Sequence, residues 1–254
     1  MKLNYKRMGE GEPLIILHGL MGMLDNWQTH ARTLSEKYDV IIVDQRNHGR
    51  SPHSDLPFTY QAMVDDLEEL VDELFLSDIN LLGHSMGGKT VMKFAQEYPM
   101  LVNKLVVADI GPKAYPVHHQ LILKGLRNVP LKELQRRTDA DAYLAEFIPY
   151  EGVRQFLMKS LYRNDKKEFD WRFNLNVIER DIPLIGEAIH DNVYEQETLF
   201  IRGEKSDYIK DKDWGEIKEW FPKAELETLS NAGHWLHAEQ PEAFIQALTS
   251  FLER

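Results

Sequence analysis

The chain contains no cysteine in its 254 residues. That excludes disulfides, zinc–thiolate sites, iron–sulfur clusters and a cysteine nucleophile. Positive charge is also scarce: 30 Lys and Arg stand against 41 Asp and Glu, a net charge of −11. This balance argues against a nucleic-acid partner and against docking on an anionic membrane, since both need basic patches. Long apolar runs are missing as well. The longest near the start, Leu14–Leu17, is far too short for a signal-peptide core or a membrane span, so a cytoplasmic protein is expected. No glycine fingerprint for dinucleotides or phosphates occurs, and neither a cofactor nor a metal is expected. Repeats, low-complexity tracts and dividing linkers are absent too. What is present is 43% hydrophobic content, enough for one undivided α/β core of roughly 200–250 residues.

Short apolar runs that read as buried parallel strands alternate with amphipathic segments. The runs are Leu14–Leu17, Val40–Val43, Ile79–Leu82, Leu105–Ala108 and Thr198–Ile201, with Ala224–Leu229 as a weaker final strand. Tyr60–Leu74 places Met63, Leu67, Leu70, Val71 and Leu74 on one helical stripe, and Glu242–Leu252 ends the chain similarly. The alternation predicts a doubly wound, mostly parallel sheet. From about Gly111 to Tyr194 no good strand is visible, only helical pieces at Leu121–Leu126, Leu131–Arg137 and Val153–Leu161. Such an insertion is too long for a plain loop. It reads as a helical cap, residues 111–194, inserted into a core of residues 1–110 and 195–254. The cap would cover the carboxyl edge of the sheet, where open α/β sheets bind ligands.

The sharpest local signal is Gly83-His84-Ser85-Met86-Gly87-Gly88, directly after the Ile79–Leu82 run and before the helical segment Lys89–Glu97. G-x-S-x-G in a strand–turn–helix setting is the nucleophile elbow, which pushes a serine hydroxyl out of the sheet edge. The flanking glycines avoid a Cβ clash, and the helix N-terminus faces the developing anion. Serine needs a base. Of ten histidines, His30, His53 and His190 lie in polar segments and read as solvated. His118 and His119 adjoin the start of the insertion and read as surface residues, with a metal pair as the alternative. His234, in Asn231-Ala232-Gly233-His234-Trp235 after the last strand, fits the chain order Ser…His of hydrolases. His237 reads as support for that loop.

Two further segments end the first core strands: Leu17-His18-Gly19-Leu20, and Asp44-Gln45-Arg46-Asn47-His48-Gly49-Arg50-Ser51. Together with the elbow and the Gly-His-Trp loop, they resemble the α/β-hydrolase superfamily across essentially the whole chain. The RNHGxS run, the GHSMGGK elbow and the segment Trp171-Arg172-Phe173-Asn174-Leu175 narrow the resemblance. They point to small bacterial esterases of the YbfF type and their mitochondrial α/β-hydrolase-domain relatives. The resemblance implies an α/β-hydrolase fold and an oxyanion hole formed by the backbone N–H groups of Leu20 and Met86. It also implies that Asp44, Arg46 and His48 hold the loop beside the elbow.

The acid of a Ser-His-Asp triad has two candidates. Most relatives place it three residues beyond a Gly in a G-x-x-D-x-x-(Val/Ile) turn. Here Gly203-Glu204-Lys205-Ser206-Asp207-Tyr208-Ile209 puts Ser206 in that slot and Asp207 one place late. The other candidate is Asp109, which ends the strand after the elbow helix and would emerge beside Ser85; the YbfF-type esterases look like hydrolases that draw their acid from this strand. Asp109 is preferred, with Asp207 the alternative. The expected chemistry is hydrolysis of a small acyl ester or thioester through an acyl-enzyme. Met21, Met23, Phe156, Leu157 and Trp235 are candidate pocket-lining residues, and Met86, Met158, Leu121 and Leu126 could also contribute. Ser85 excludes epoxide hydrolases and dehalogenases, which use Asp at the elbow. A carbon–carbon hydrolase or lyase of the same fold, and a ligand receptor with vestigial hydrolysis, remain as alternatives.

Overall fold

Alternation along the strands decides how the two faces of the sheet are built. Ile15 and Leu17 bury into one hydrophobic cluster and Leu14 and Ile16 into another, as the two-residue period of a strand covered on both sides requires. The computed structural model describes residues 1–116 and 119–254. Its strands are β1 (Asn4–Met8), β2 (Glu12–Leu17), β3 (Tyr38–Asp44), β4 (Ile79–His84), β5 (Val102–Ala108), β6 (Leu161–Arg163), β7 (Phe169–Trp171), β8 (Thr198–Gly203) and β9 (Ala224–Leu229). Seven of them form one sheet in the order β1-β3-β2-β4-β5-β8-β9. Only β1 runs antiparallel to its neighbour. The helices are α1 (Gln28–Leu34), α2 (Tyr60–Glu73), α3 (Met86–Glu97), α4 (Gln120–Asn128), α5 (Arg137–Ala145), α6 (Glu151–Lys159), α7 (Leu175–Ile185), α8 (Trp214–Trp220), α9 (Leu236–Glu239) and α10 (Pro241–Leu252). α2 and α3 bury residues such as Leu67 and Phe94 with one face of the sheet, and α1 and α10 bury Leu34 and Phe244 with the other. This is the doubly wound, mostly parallel sheet of an α/β-hydrolase fold. Among the described residues no helix is long and apolar enough to cross a membrane.

Every strand expected from the apolar runs is present, but three strands escape that reading. β1 is a half-exposed edge strand of polar and apolar residues, so it carries no buried run. β6 and β7, three residues each, form an antiparallel pair inside the 111–194 segment, which is therefore not purely helical. Leu131–Arg137, expected to be helical, is irregular up to Arg136, and α5 begins only at Arg137. The backbone N–H of Arg136 is capped instead by the Asp139 carboxylate at 2.9 Å.

The topology reverses at β2: β3 and β4, the next two strands in the chain, lie on opposite sides of it in the sheet. Loops leaving the carboxyl ends of β2 and β4 therefore diverge and leave a crevice, the usual ligand position in such sheets. The segment between β5 and β8 is tied over this edge. Ser160 Oγ donates to the Met21 carbonyl at 3.1 Å, the Phe58 N–H donates to Asp181 at 2.8 Å, and the Asn174 N–H donates to the Asn47 carbonyl at 2.8 Å. From α3, the buried Lys89 ammonium donates to the carbonyls of Lys113 and Glu187, near the two ends of that segment. Burial pulls the Lys89 ammonium down to about 7.

The loops at the crevice are held by histidines that burial keeps neutral. His18 donates from Nδ1 to the Gly19 carbonyl at 2.8 Å and accepts at Nε2 from the Gln45 N–H at 3.0 Å. His48 repeats the pattern, donating to the Arg46 carbonyl at 2.9 Å and accepting from the Met21 N–H at 2.9 Å. An imidazolium has no acceptor nitrogen, so protonation would break each arrangement. Desolvation lowers His18 to about 4, and His48 and His84 to about 3. His30, expected to be solvated, is buried as well, donating to the His237 carbonyl at 2.9 Å. Trp27 stacks on the buried His237 ring, and a helical face that packs such aromatic surface keeps His30 from water. His53 and His190 are exposed, as expected.

A pH dependence of stability follows from these depressed values. Below pH 6.5 the unfolded chain binds protons that folded His18, His48 and His84 refuse, so stability present above pH 6.5 is lost as pH falls toward 4 and 3. Each such histidine contributes a slope of up to about 1.4 kcal/mol per pH unit in that window. Urea unfolding at pH 7.5, 6.0 and 5.0 should show a steep decline, shallower in His48→Gln. A flat profile would contradict neutral histidines in these loops.

Candidate active site

Ser85 sits where β4 turns into α3, with φ 53° and ψ −118°, a backbone region that non-glycine residues visit only under constraint. The constraint is local packing. A Cβ on Gly83 would lie 2.2 Å from the Gly87 carbonyl oxygen, and one on Gly87 would lie 2.5 Å from that of Leu17. Helix and strand can approach this closely only without side chains. The Ser85 N–H continues the β4–β5 ladder by donating to the Ala108 carbonyl at 3.0 Å. The side chain is left at the crevice.

His234, in the loop between β9 and α9, reaches Ser85 from the other side. Its Nε2 lies 3.0 Å from Ser85 Oγ and its Nδ1 lies 2.7 Å from Asp109 Oδ2. The Asp109 carboxylate is fully buried. It accepts from the Gly203 N–H at 3.1 Å and from the Ser206 hydroxyl. Nδ1–H therefore donates to the carboxylate, which leaves Nε2 to accept from the serine hydroxyl. Three strand ends (β4, β5 and β9) thus deliver Ser85, Asp109 and His234 to one line of hydrogen bonds.

Asp207 does not join them. Its side chain is 91% exposed and pairs with Lys210 at 3.0 Å. The one-residue offset seen in the sequence is the physical reason: Ser206 occupies the inward position and donates to Asp109, while the next side chain turns to solvent. Two neighbours that the sequence reading did not assign to the site also position His234. The buried His84 donates from Nε2 to the His234 carbonyl at 2.8 Å. The Tyr208 ring stacks on the imidazole with centroids 4.0 Å apart. Burial and the negative charge of Asp109 push the Tyr208 phenol up to about 12. The elbow motif contained His84, and Ser206 stood in the slot where an acid was sought. Tyr208 carried no signal.

Leu20 and Met86 both lie beside Ser85 in the wall of a cavity of about 40 Å³. Among the described residues neither backbone N–H has an acceptor. Leu20 follows a loop anchored by His18 and His48, and Met86 opens α3, whose first N–H groups point along the helix axis. A second cavity of about 280 Å³ meets the first at Ser85. Met21, Phe156, Leu157 and Trp235, four of the five expected pocket residues, line it. Met23 lines neither cavity: its N–H is tied to Asn26 Oδ1 at 2.8 Å at the start of a single helical turn, and its side chain is buried. Leu121 is exposed, while Leu126 and Met158 belong to the core. Asp44, Arg46 and His48 hold loops as expected. Asp44 accepts from the N–H groups of Leu24 and Arg50, and Arg46 is paired with buried Asp66. His119 lines both cavities, and His118 lies outside the described residues. Among the described residues no group of three His, Asp or Glu is placed to hold a metal ion.

Comparison with known proteins agrees with this architecture. The family described as alpha/beta hydrolase fold matches residues 12–241. A putative esterase/lipase of Haemophilus influenzae is 40% identical, over 95% of this chain and 83% of its own length. Esterase YbfF of Escherichia coli is 35% identical over 99% of both chains. The sn-1-specific diacylglycerol lipase ABHD11 of Danio rerio is 36% identical, over 96% of this chain and 80% of its own. A solved structure titled marine microorganism esterase superposes with a TM-score of 0.95 at 42% identity, covering 98% of this chain and 99% of that one. With a match of this extent and relatives well above 30% identity along nearly its whole length, the chain belongs to the α/β-hydrolase family, among the YbfF-type esterases and their ABHD11 relatives.

Proposed function

We propose that the protein is a serine hydrolase that cleaves carboxylic esters through an acyl-enzyme on Ser85. The observation that carries this reading is the continuous line Asp109–His234–Ser85, with distances of 2.7 and 3.0 Å, opening onto two apolar cavities. It is supported by relatives that are esterases and lipases by name.

In the first step Ser85 Oγ attacks the ester carbonyl carbon while its proton passes to His234 Nε2. Asp109 stabilises the imidazolium that forms. The carbonyl oxygen becomes an oxyanion held by the N–H groups of Leu20 and Met86, donors of a type worth ~10²–10³-fold in turnover. The tetrahedral intermediate then collapses. The bond from carbon to the alcohol oxygen breaks, and His234 Nε2 gives its proton to the departing alkoxide. In the second half a water gives its proton to the same nitrogen and attacks the acyl carbon. Ser85 leaves, recovering its proton from His234, and the carboxylic acid is released. Thioesters fit the same steps. We read residues 111–194 as a cap over a core of residues 1–110 and 195–254. In that reading the contacts of Ser160, Asp181 and Asn174 hold the cap on the carboxyl edge.

Ser85→Ala should abolish turnover of p-nitrophenyl esters by ~10⁶-fold while leaving the fold intact; residual activity near wild type would sink the nucleophile assignment. The acid is tested by a matched pair. Asp109→Asn should lower kcat up to ~10⁴-fold, because His234 loses the partner that sets its tautomer, whereas Asp207→Asn should change kcat less than about twofold. Equal effects, or the reverse order, would overturn Asp109 as the acid. Ser206→Ala removes one donor to a buried carboxylate and should cost about 1–3 kcal/mol of stability by urea unfolding, against within about 0.5 kcal/mol for Asp207→Asn.

A further inference from the structure

We propose that the two cavities divide the substrate unequally: a short acyl chain enters the small cavity, and a larger apolar alcohol fills the other. This assignment rests on the ester-hydrolase reading above and names the substrate class within it.

Proton transfer decides which half goes where. The tetrahedral carbon carries Ser85 Oγ, the oxyanion, the acyl chain and the alcohol oxygen. Only the alcohol oxygen must receive a proton from His234, so it has to lie on the imidazole side of Ser85. His234 is in the wall of the 280 Å³ cavity and not of the 40 Å³ cavity. The alcohol therefore departs through the large cavity, and the attacking water arrives from the same side. Met86, whose N–H faces the oxyanion, lines only the small one. That leaves the small cavity to the acyl chain.

Its walls set the limits. At about 40 Å³ against about 280 Å³ for its neighbour, it is much the smaller of the two and suits a tail in the acetyl-to-butyryl range. Ile110, Ile182 and Ile185 supply hydrocarbon, and Tyr60 and Tyr115 supply ring faces. The phenols are fixed: Tyr60 donates to the Ile185 carbonyl at 2.8 Å, and Tyr115 donates to the Tyr208 carbonyl at 2.8 Å while accepting from the Gly111 N–H. These bonds tie the wall to α7 and to the start of the cap, so the cavity cannot lengthen by a rotamer change of either tyrosine. Among the described residues no Asp, Glu, Lys or Arg lines it, and His119 is the one imidazole in its wall, so an ammonium on the acyl chain would be buried without a partner, at large cost. The large cavity, with Ile122, Val153, Phe156, Leu157 and Trp235, offers apolar surface to the alcohol.

Two substrate series test the division. In p-nitrophenyl esters, kcat/KM should fall at least about tenfold from butyrate to octanoate, since each methylene a pocket cannot hold is typically worth ~10-fold or more. In acetates of unbranched alcohols, which share leaving-group chemistry, kcat/KM should rise about tenfold from ethyl to hexyl. Ile182→Ala should raise the octanoate-to-acetate ratio about tenfold and leave the hexyl-to-ethyl ratio unchanged. Val153→Trp should lower the hexyl-to-ethyl ratio and leave the acyl ratio unchanged. Each readout compares two substrates on one preparation, so partial loss of folded protein cancels. Octanoate turned over as well as butyrate, or Ile182→Ala moving the alcohol ratio instead, would overturn the division while Ser85-dependent hydrolysis persists. A folded chain that hydrolyses no ester in either series would remove the ester-hydrolase reading and the division with it.

Discussion

The buried carboxylate of Asp109 is the constraint on which the site depends. A fully buried charge is tolerated only when donors surround it. Here the donors come from three different places: the Gly203 N–H at the end of β8, the Ser206 hydroxyl in the following turn, and the His234 ring beyond β9. The carboxylate therefore fastens the carboxyl ends of β5, β8 and β9 into one arrangement and orients the imidazole as a consequence. Its backbone, at φ 51°, shares with Ser85 a positive φ that non-glycine residues adopt only under constraint. Two constrained residues on adjacent strands hold the site, and the parallel ladder between β4 and β5 supports both.

On the other side of Ser85 the supporting groups are neutral rather than charged. His18 and His48 each use one ring nitrogen as donor and the other as acceptor, and so read two backbone groups at once. An amide side chain could make similar bonds, but an imidazole adds a rigid ring that packs: the His18 and His48 rings lie 5.1 Å apart, and His48 meets Phe58. The loop bearing Leu20 is thereby positioned by hydrogen bonds that need a specific protonation state, while the Asp109 side needs a specific charge. The same histidines make the folded chain sensitive to acid through groups outside the line from Asp109 to Ser85.

Much of this was legible in the residues because the core strands are continuous apolar runs and the elbow is a short, contiguous motif. Leu14–Leu17 and Val40–Val43 had to be strands buried on both faces, and Gly83 through Gly88 had to turn tightly. Asp109 was harder to choose, since the choice between it and Asp207 depends on which way a turn faces, and a single residue decides that. β1, β6 and β7 were illegible because an exposed edge strand and a three-residue hairpin carry no periodicity to read. The burial of His30 was missed for a related reason. Its neighbours Gln28, Thr29 and Arg32 are polar, but on a helix the direction of one side chain is set by what packs three and four places away.

The cavities show where sequence reading stops altogether. Their walls are drawn from the loops after β2, β4, β5, β8 and β9 and from Tyr60 of α2 on one side, and from α4, α6 and α7 on the other, so no contiguous stretch encodes either volume. The strands and loops of the seven-stranded sheet supply Ser85, Asp109 and His234. What the segment between β5 and β8 adds is the shape around Ser85: α7 brings Ile182 and Ile185 to one side, α6 brings Val153 and Phe156 to the other. Those two helices are anchored separately, α7 through Asp181 and Asn174 and α6 through Ser160 directly after it. Independent anchors let the two walls differ in depth without disturbing the line of hydrogen bonds between them, so the shape around Ser85 can change with Asp109, His234 and Ser85 left as they are.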